Sequence, residues 1–337
     1  MQIASAFLMG TKIKEIEVPA EYYTKMTSLP NTSGVNVSKN GISYKGKIYA
    51  AFGREGVEQY ATSSVTIKVY NGTSWSDAVT LTTAASEYSG WTFDKGSLLF
   101  FVWHDKMYVA YAKFGDYGMQ GPKFGWVFDG TTWTSWSIPT SNLSQAVEKN
   151  GKLYLFEVGR QGSWNVSYWF NIYEFDDTNN TATLVAQSVA HGLIQNGLQD
   201  GSRIVVNLNG ALHGIGGNAG TYNIRHFIIN DDWSCTELNS VYPPISSMIV
   251  YKNKIHAFGS GDIWSPFSGT HQSWNSVTDS WEYEQAAPYF SAVDYGKYFI
   301  PRAIMHKNKM WLIGASNQTG YSWDYSSAFD DVYRYNR

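Results

Sequence analysis

A short phrase returns six times along this chain of 337 residues: a tight turn, usually with a Lys after it, then an aliphatic residue or Met, then an aromatic residue or His. It reads GKIYAAFG from Gly46, DKMYVAYA from Asp105, GKLYLFEV from Gly151, GALHGIGG from Gly210, NKIHAFGS from Asn253 and NKMWLIGA from Asn308. Gly, Asn and Asp tolerate the positive φ of a two-residue hairpin, and the apolar run behind them suits a buried strand. Each phrase therefore predicts strand, turn, strand. Successive anchors stand 59, 46, 59, 43 and 55 residues apart. A period of about 50 built from antiparallel strands is that of a radial array of small sheets, since one such sheet cannot bury its own apolar faces without neighbours.

A second phrase follows the first: an apolar or aromatic strand ending in an Asn/Asp turn and usually a Trp. It appears as VYNGTSW to Trp75, VFDGTTW to Trp133, FIINDDW to Trp233 and, more loosely, SWNSVTDSW to Trp281; the third repeat offers YEFDDTNNTATL from Tyr173, without a Trp. The pair of phrases resembles the Kelch repeat, whose family form is a Gly-ended second strand, a variable loop, then a Tyr and a Trp on the third and fourth strands. Gly216 and Gly217 keep the family's paired glycines. The resemblance implies an all-β chain, a six-bladed Kelch-like β-propeller of four-stranded antiparallel blades, with the N-terminal strand closing the last blade. One domain then spans residues 1–337, with blades beginning near residues 36, 97, 143, 201, 245 and 300. The alternating segment Lys12 to Val18, within residues 1–20, is the expected closing strand.

Composition narrows the partners. Aromatic residues make up 16% and charged residues 16%, against about 25% charged in an ordinary globular protein. A surface of Ser, Thr, Asn, Gly and Tyr suits polar, uncharged partners such as sugars, although propellers also use β-forming aromatics for packing. A net charge of −3, with no Lys/Arg run longer than a pair, argues against nucleic acid, which requires a basic face. No stretch of 18 apolar residues predicts a membrane span. The start, MQIASAFLMGTKIK, lacks the basic region of a signal peptide, and the single Cys235 excludes an internal disulfide framework. Synthesis in a reducing cytoplasm is the expectation.

In a propeller the connections from strand 2 to strand 3 share one face, and here they are rich in rings. They carry Tyr60, Tyr117, Trp164 and Tyr222, then Trp264 and Phe267 beside Asp262, and Tyr321, Trp323 and Tyr325 around Asp324. Trp and Tyr faces stack on the C–H faces of sugars while neighbouring Asp and amide groups bind hydroxyls. These eleven residues are the candidate ligand site. Long loops that bury their own rings are the structural alternative.

Catalytic signals are sparse. The turns NGTSW at Asn71 and DGTTW at Asp129 resemble shortened sialidase Asp-boxes, which mark turns and take no part in catalysis. A sialidase also needs three convergent arginines, and of the seven here Arg54 and Arg160 fall on 2–3 loops. A galactose-oxidase-like copper site needs a Cys crosslinked to a Tyr with two His ligands, and Cys235, just after Trp233, lies at the rim. His213 and His256 take the aromatic slot filled elsewhere by Tyr49, Tyr108, Tyr154 and Trp311, which predicts structural histidines; His104 and His306 flank inner turns on the opposite face. The doublets Asp176–Asp177, Asp231–Asp232 and Asp330–Asp331 predict Asx turns before calcium sites. No HExxH, EF-hand or GxSxG pattern occurs. No cofactor and no metal is expected.

Two classes of function lead. The first is a non-catalytic binding protein that recognises a cell-surface polysaccharide or wall polymer through its aromatic loops. Low charge, NGTSW-type turns and near absence of cysteine resemble the propellers of bacteriophage tail and receptor-binding proteins, which implies a virion location after cytoplasmic synthesis and other tail proteins as partners. The second is a Kelch-type intracellular scaffold for proteins. A glycan-active enzyme of sialidase or galactose-oxidase type is the third.

Overall fold

The computed structural model describes residues 22–30, 37–54, 64–82, 97–112, 123–140, 143–161, 167–194, 204–218, 223–241, 247–259, 270–284, 297–319 and 329–337. The repeated phrase folds at its corner as the turn chemistry requires. In all six repeats both corner residues have positive φ: Lys45 and Gly46, His104 and Asp105, Asn150 and Gly151, Asn209 and Gly210, Lys252 and Asn253, Lys307 and Asn308. Such corners carry the right-handed twist of the flanking strands, so each phrase becomes a two-residue hairpin.

The second phrase closes on its own acid or amide. The side-chain Oδ1 of Asn71 accepts the backbone N–H groups of Thr73 (2.8 Å) and Ser74 (2.9 Å), and Asp129 does the same for Thr131 (2.7 Å) and Thr132 (2.8 Å). Asp176, Asp232 and Asn275 each accept a backbone N–H two residues ahead. These are Asx turns, formed because a short carboxylate or amide reaches the N–H groups that the turn leaves unpaired. The other acid of the first two predicted doublets, Asp177 in one and Asp231 in the other, differs. Asp177 pairs with His104 (2.8 Å) and Lys106 (3.4 Å), and Asp231 with Lys149 (2.6 Å), each joining the turn to the preceding blade. Asp330 and Asp331 lie within a strand and not in a turn.

The chain enters through β1 (Tyr23–Lys25). Blade 1 comprises β2 (Val37–Tyr44), β3 (Lys47–Arg54), β4 (Ser64–Tyr70) and β5 (Trp75–Thr82). Blade 2 comprises β6 (Ser97–Trp103), β7 (Lys106–Ala112), β8 (Lys123–Phe128) and β9 (Trp133–Ser135). Blade 3 has β10 (Leu143–Lys149), β11 (Lys152–Gln161), β12 (Ser167–Asp176) and β13 (Thr181–Ile194), and blade 4 has β14 (Val205–Leu208), β15 (Ala211–Asn218), β16 (Asn223–Ile229) and β17 (Cys235–Val241). Blade 5 is β18 (Ser247–Tyr251), β19 (Lys254–Gly259), β20 (Thr270–Asn275) and β21 (Ser280–Tyr283). Blade 6 is β22 (Lys297–His306), β23 (Lys309–Thr319) and β24 (Phe329–Tyr335), completed by β1 in the order β1-β24-β23-β22. Every pairing is antiparallel, and the six four-stranded sheets form a six-bladed β-propeller.

The N-terminal strand does close the last blade, but the strand that pairs with β24 is Tyr23–Lys25, in the register Tyr23↔Tyr335 and Lys25↔Tyr333. The expected segment Lys12 to Val18 lies outside the described residues. Polar alternation pointed to it, whereas the edge of β24 offers aromatic Tyr335 and Tyr333, which Tyr23 and Lys25 meet with ring contacts.

Both faces of each blade are buried against neighbours, so the second strands read as near-continuous apolar runs with no polar face. Along β3, Ile48 and Ala50 pack toward blade 6 while Tyr49 and Ala51 pack toward blade 2. One layer near the ring axis is polar in four of the six blades. Five positions before the hairpin corner stand Asn40, Leu99, Gln145, Ile204, Ser247 and Arg302, all at most 4% exposed. Asn40 donates to the Leu98 carbonyl of the next blade (2.8 Å). Gln145 accepts from the Ile204 and Val205 N–H groups (both 3.0 Å) and donates to the Val205 carbonyl. Replacing Gln145 by Ala strands those groups in the interior. The expected loss is about 1–3 kcal/mol, read as a shifted denaturation midpoint; a wild-type midpoint would show that water replaces the amide.

Candidate functional site

Every second strand runs in the same sense around the ring, so the connections 55–63, 113–122, 162–166, 219–222, 260–269 and 320–328 all leave and re-enter blades on one face. Tyr60, Tyr117, Trp164, Tyr222, Asp262, Trp264, Phe267, Tyr321, Trp323, Asp324 and Tyr325 belong to these connections and lie outside the described residues. What the fold supplies is their common footing. Arg54 is the last residue of β3, opposite Ser64, and Arg160 lies in β11 opposite Tyr168, so both backbones reach the loop face. A third arginine, Arg302, is 2% exposed on the innermost strand of blade 6, beside a register shift at Pro301.

Sequence reasoning passed over a ring pair at the root of the 162–166 connection. Trp169 and His191 stack with centroids 5.5 Å apart and an interplanar angle of 25°. Trp169 is half-buried and His191 exposed. Trp169 stands directly opposite Gly159 on β11. A Cβ at residue 159 would sit 2.1 Å from the indole Nε1 and 2.3 Å from Cε2, so the ring fits only over glycine. The signal that was available is the run SYWFN, where Trp169 alternates with the buried Phe170 and so belongs to the other face of the strand.

The histidines of blades 4 and 5 form matched buried pairs. Nδ1 of His213 lies 3.0 Å from Nε2 of His226, and Nδ1 of His256 lies 2.8 Å from Nε2 of His271. The second pair extends to the Tyr23 hydroxyl, 2.8 Å from His271 Nδ1. Burial pushes His213 and His256 down to about 4 and His226 down to about 3, because a desolvated imidazolium is unfavourable. Asp279 opposes the shift at His213 and Glu284 at His256, while the like charge of His213 deepens it at His226. Neutral imidazoles each offer one donor and one acceptor, which suits these chains of bonds. They work as core hydrogen-bonding groups. Among the described residues no group of three or more His, Cys, Asp or Glu side chains is placed to hold a metal. Cys235 opens the outermost strand of blade 4, half-buried, with burial pushing its thiol up.

The opposite face carries the inner hairpins. The six inner hairpins bring together Lys45, Lys47, Lys106, Lys149, Lys152, Lys252, Lys254, Lys307 and Lys309, with Asp105 as their one acid. Four of these lysines pair with carboxylates of the third- and fourth-strand region: Lys106 with Asp177, Lys149 with Asp231, Lys152 with Glu174 and Lys254 with Glu282. The others, Lys45, Lys47, Lys252, Lys307 and Lys309, stand on the inner hairpins of blades 1, 5 and 6.

No protein-family profile matches the sequence, and no curated protein does. Solved structures do match. The chain is similar to a Trypanosoma rangeli sialidase, with TM-score 0.59 and 11% identity over 93% of this chain and 58% of that one. It is also similar to the fucose-recognising fungal lectin of Aleuria aurantia, itself a six-bladed β-propeller, with TM-score 0.51 and 10% identity over 90% of this chain and 96% of that one. At such identities the likeness is one of fold. The chain spans just under three fifths of the sialidase, and nearly the whole lectin. The expectation of a protein without enzymatic activity needs correction: the better-superposing of these two propellers is a sialidase. Placing a glycan-active enzyme third rested on missing local motifs, yet in a ring the groups of a site come from separate blades and leave no contiguous motif.

Proposed function

We propose that this propeller is a glycan-active protein whose loop face binds a carbohydrate and cleaves a glycosidic bond. The observation that carries the reading is the six-bladed ring shared with a sialidase and a fucose-recognising lectin, on which the ring-rich connections of this chain start and end on one face. Hydrolysis needs a proton donor and a second carboxylate flanking the bond. Asp262 and Asp324, on the connections of adjacent blades 5 and 6, are the candidates for that pair. Arg54 and Arg160 are candidates for holding an acidic sugar, since a guanidinium binds carboxylate in a bidentate fork. The Asx turns at Asn71 and Asp129 support the likeness to sialidase turns as structural elements. The setting we propose is a bacteriophage tail, with a bacterial surface polysaccharide as substrate. The low-charge, amide-rich composition supports it, and the Kelch-like phrase marks the repeat.

The test pairs an array of bacterial capsular and wall polysaccharides with a panel of fluorogenic glycosides. Binding to a subset of polysaccharides with release of reducing ends is expected, and Asp324→Asn should lower turnover about 100-fold or more while retaining binding. Retention of full turnover by both Asp324→Asn and Asp262→Asn would remove these carboxylates from the mechanism. An array with no bound polysaccharide, together with no hydrolysis, would overturn the reading.

A further inference from the structure

We infer that Trp169 and His191 form a sugar-stacking ledge on blade 3, a subsite for the C–H face of a pyranose ring at the edge of the loop face. The inference rests on the glycan reading above and adds a place where the sugar lies. Two separate concessions of the backbone converge on this ring pair. First, residue 159 must be glycine for the indole to lie over β11. Second, β13 is distorted directly before His191. Ser188 and Ala190 both have φ of 56°, and every other non-glycine residue with positive φ among those described sits in a turn. A left-handed residue inside a strand is unfavourable by about 1–2 kcal/mol.

The distortion is held in place. Ser188 donates its N–H to Asn171 Oδ1 (3.3 Å), and the β12–β13 register shifts three times between Tyr168 and Tyr173. Such bulges re-aim the side chains that follow them. Here the side chain that follows is His191, laid against Trp169. Hydrophobic burial does not account for the arrangement. Val189 and Ala190 pack into the core between blades 3 and 4, while Trp169 joins none of the inter-blade hydrophobic clusters and His191 is exposed. Strain kept to hold an accessible ring pair is characteristic of binding sites.

The chemistry fits a neutral sugar ring. An indole face takes the axial C–H groups of a pyranose, and the imidazole beside it has a donor and an acceptor for a hydroxyl. The ledge adjoins Ser167, where the connection bearing Trp164 re-enters blade 3.

The experiment titrates the array polysaccharide that the wild-type protein binds most tightly against wild type, Trp169→Ala, Trp169→Phe, His191→Ala and Gly159→Ala, with melting followed in parallel. Trp169→Ala and Gly159→Ala should weaken binding about tenfold or more, His191→Ala severalfold, and Trp169→Phe should restore most of the affinity. Because His191 is exposed, its variant decides the matter if Trp169→Ala fails to fold. Wild-type affinity in His191→Ala and in every folded Trp169 or Gly159 variant overturns the ledge and leaves the glycan reading standing. Failure of the wild type itself to bind any polysaccharide overturns both.

Discussion

Acidification from pH 7.5 to 5 is expected to destabilise the protein by about 5 kcal/mol, a large share of the roughly 5–15 kcal/mol typical of a folded domain. The cause is the buried histidine pairs of blades 4 and 5. In the unfolded chain an imidazole titrates near pH 6.5, and in the folded protein His213 and His256 are pushed down to about 4 and His226 to about 3. Between these values the unfolded state binds protons that the folded state refuses, so stability rises with pH. Their full contribution is present above pH 6.5 and is lost as pH falls toward 4. By pH 5 each such group has lost about 2 kcal/mol, and coupling within the His213–His226 pair makes the sum less than three times that.

The measurement is the melting temperature across pH 7.5 to 4.5, for wild type and for the double variant His213→Tyr/His226→Ile. That variant installs the Tyr154–Ile172 combination that blade 3 carries at the equivalent positions. Its melting should depend on pH about one third as steeply. The carboxylates held low by turn hydrogen bonds, such as Asp129, Asp176 and Asp232, enter only below their ordinary range and do not confuse the window. A flat melting profile from pH 7.5 to 5 would falsify the assignment of neutral, buried imidazoles.

Opening the ring closure should have an effect of similar size. Tyr23 is 4% exposed, packs against Tyr335 in a tilted ring contact with centroids 5.1 Å apart, and is hydrogen-bonded to His271 of blade 5. Just beyond it the chain crosses to blade 1. The Thr27 carbonyl accepts the Trp75 indole N–H (2.9 Å), its hydroxyl donates to the Thr73 carbonyl (2.9 Å), and Leu29 is buried against Ile48, Tyr70 and Ile313. Residues 22–30 therefore tie blades 5, 6 and 1 together. Tyr23→Ala is expected to lose about 3–5 kcal/mol, as for a large aromatic in a core, and Tyr23→Phe about 1 kcal/mol for its hydrogen bond. Excising residues 22–30 leaves β24 as an open edge, which favours association of chains. Calorimetry and light scattering read both effects; a monomeric excision variant with wild-type melting would show that blade 6 does not need this strand.

The architecture was legible because its determinants are local. Each of the six corners has at its second position a Gly, Asn or Asp, whose tolerance of positive φ is a property of the residue itself, as in Asn150–Gly151, and the apolar run after it states that the strand is buried. The Asx turns at Asn71 and Asp129 were equally local, each a side chain reaching two and three residues ahead. The closing strand was misplaced within the N-terminal region because polar alternation is a weaker constraint than the aromatic edge it must meet. For the candidate site the sequence identified which connections carry rings and acids. It could not show that Trp169 lies over Gly159, that two left-handed residues turn His191 toward it, or that Lys149 of blade 3 meets Asp231 of blade 4. Nor could it pair Tyr23 with His271, 248 residues away. Backbone preference is a property of a residue and its immediate neighbours, and so the sequence determines it alone. Which distant side chains meet is decided when the ring closes and the inter-blade packing sets their separation.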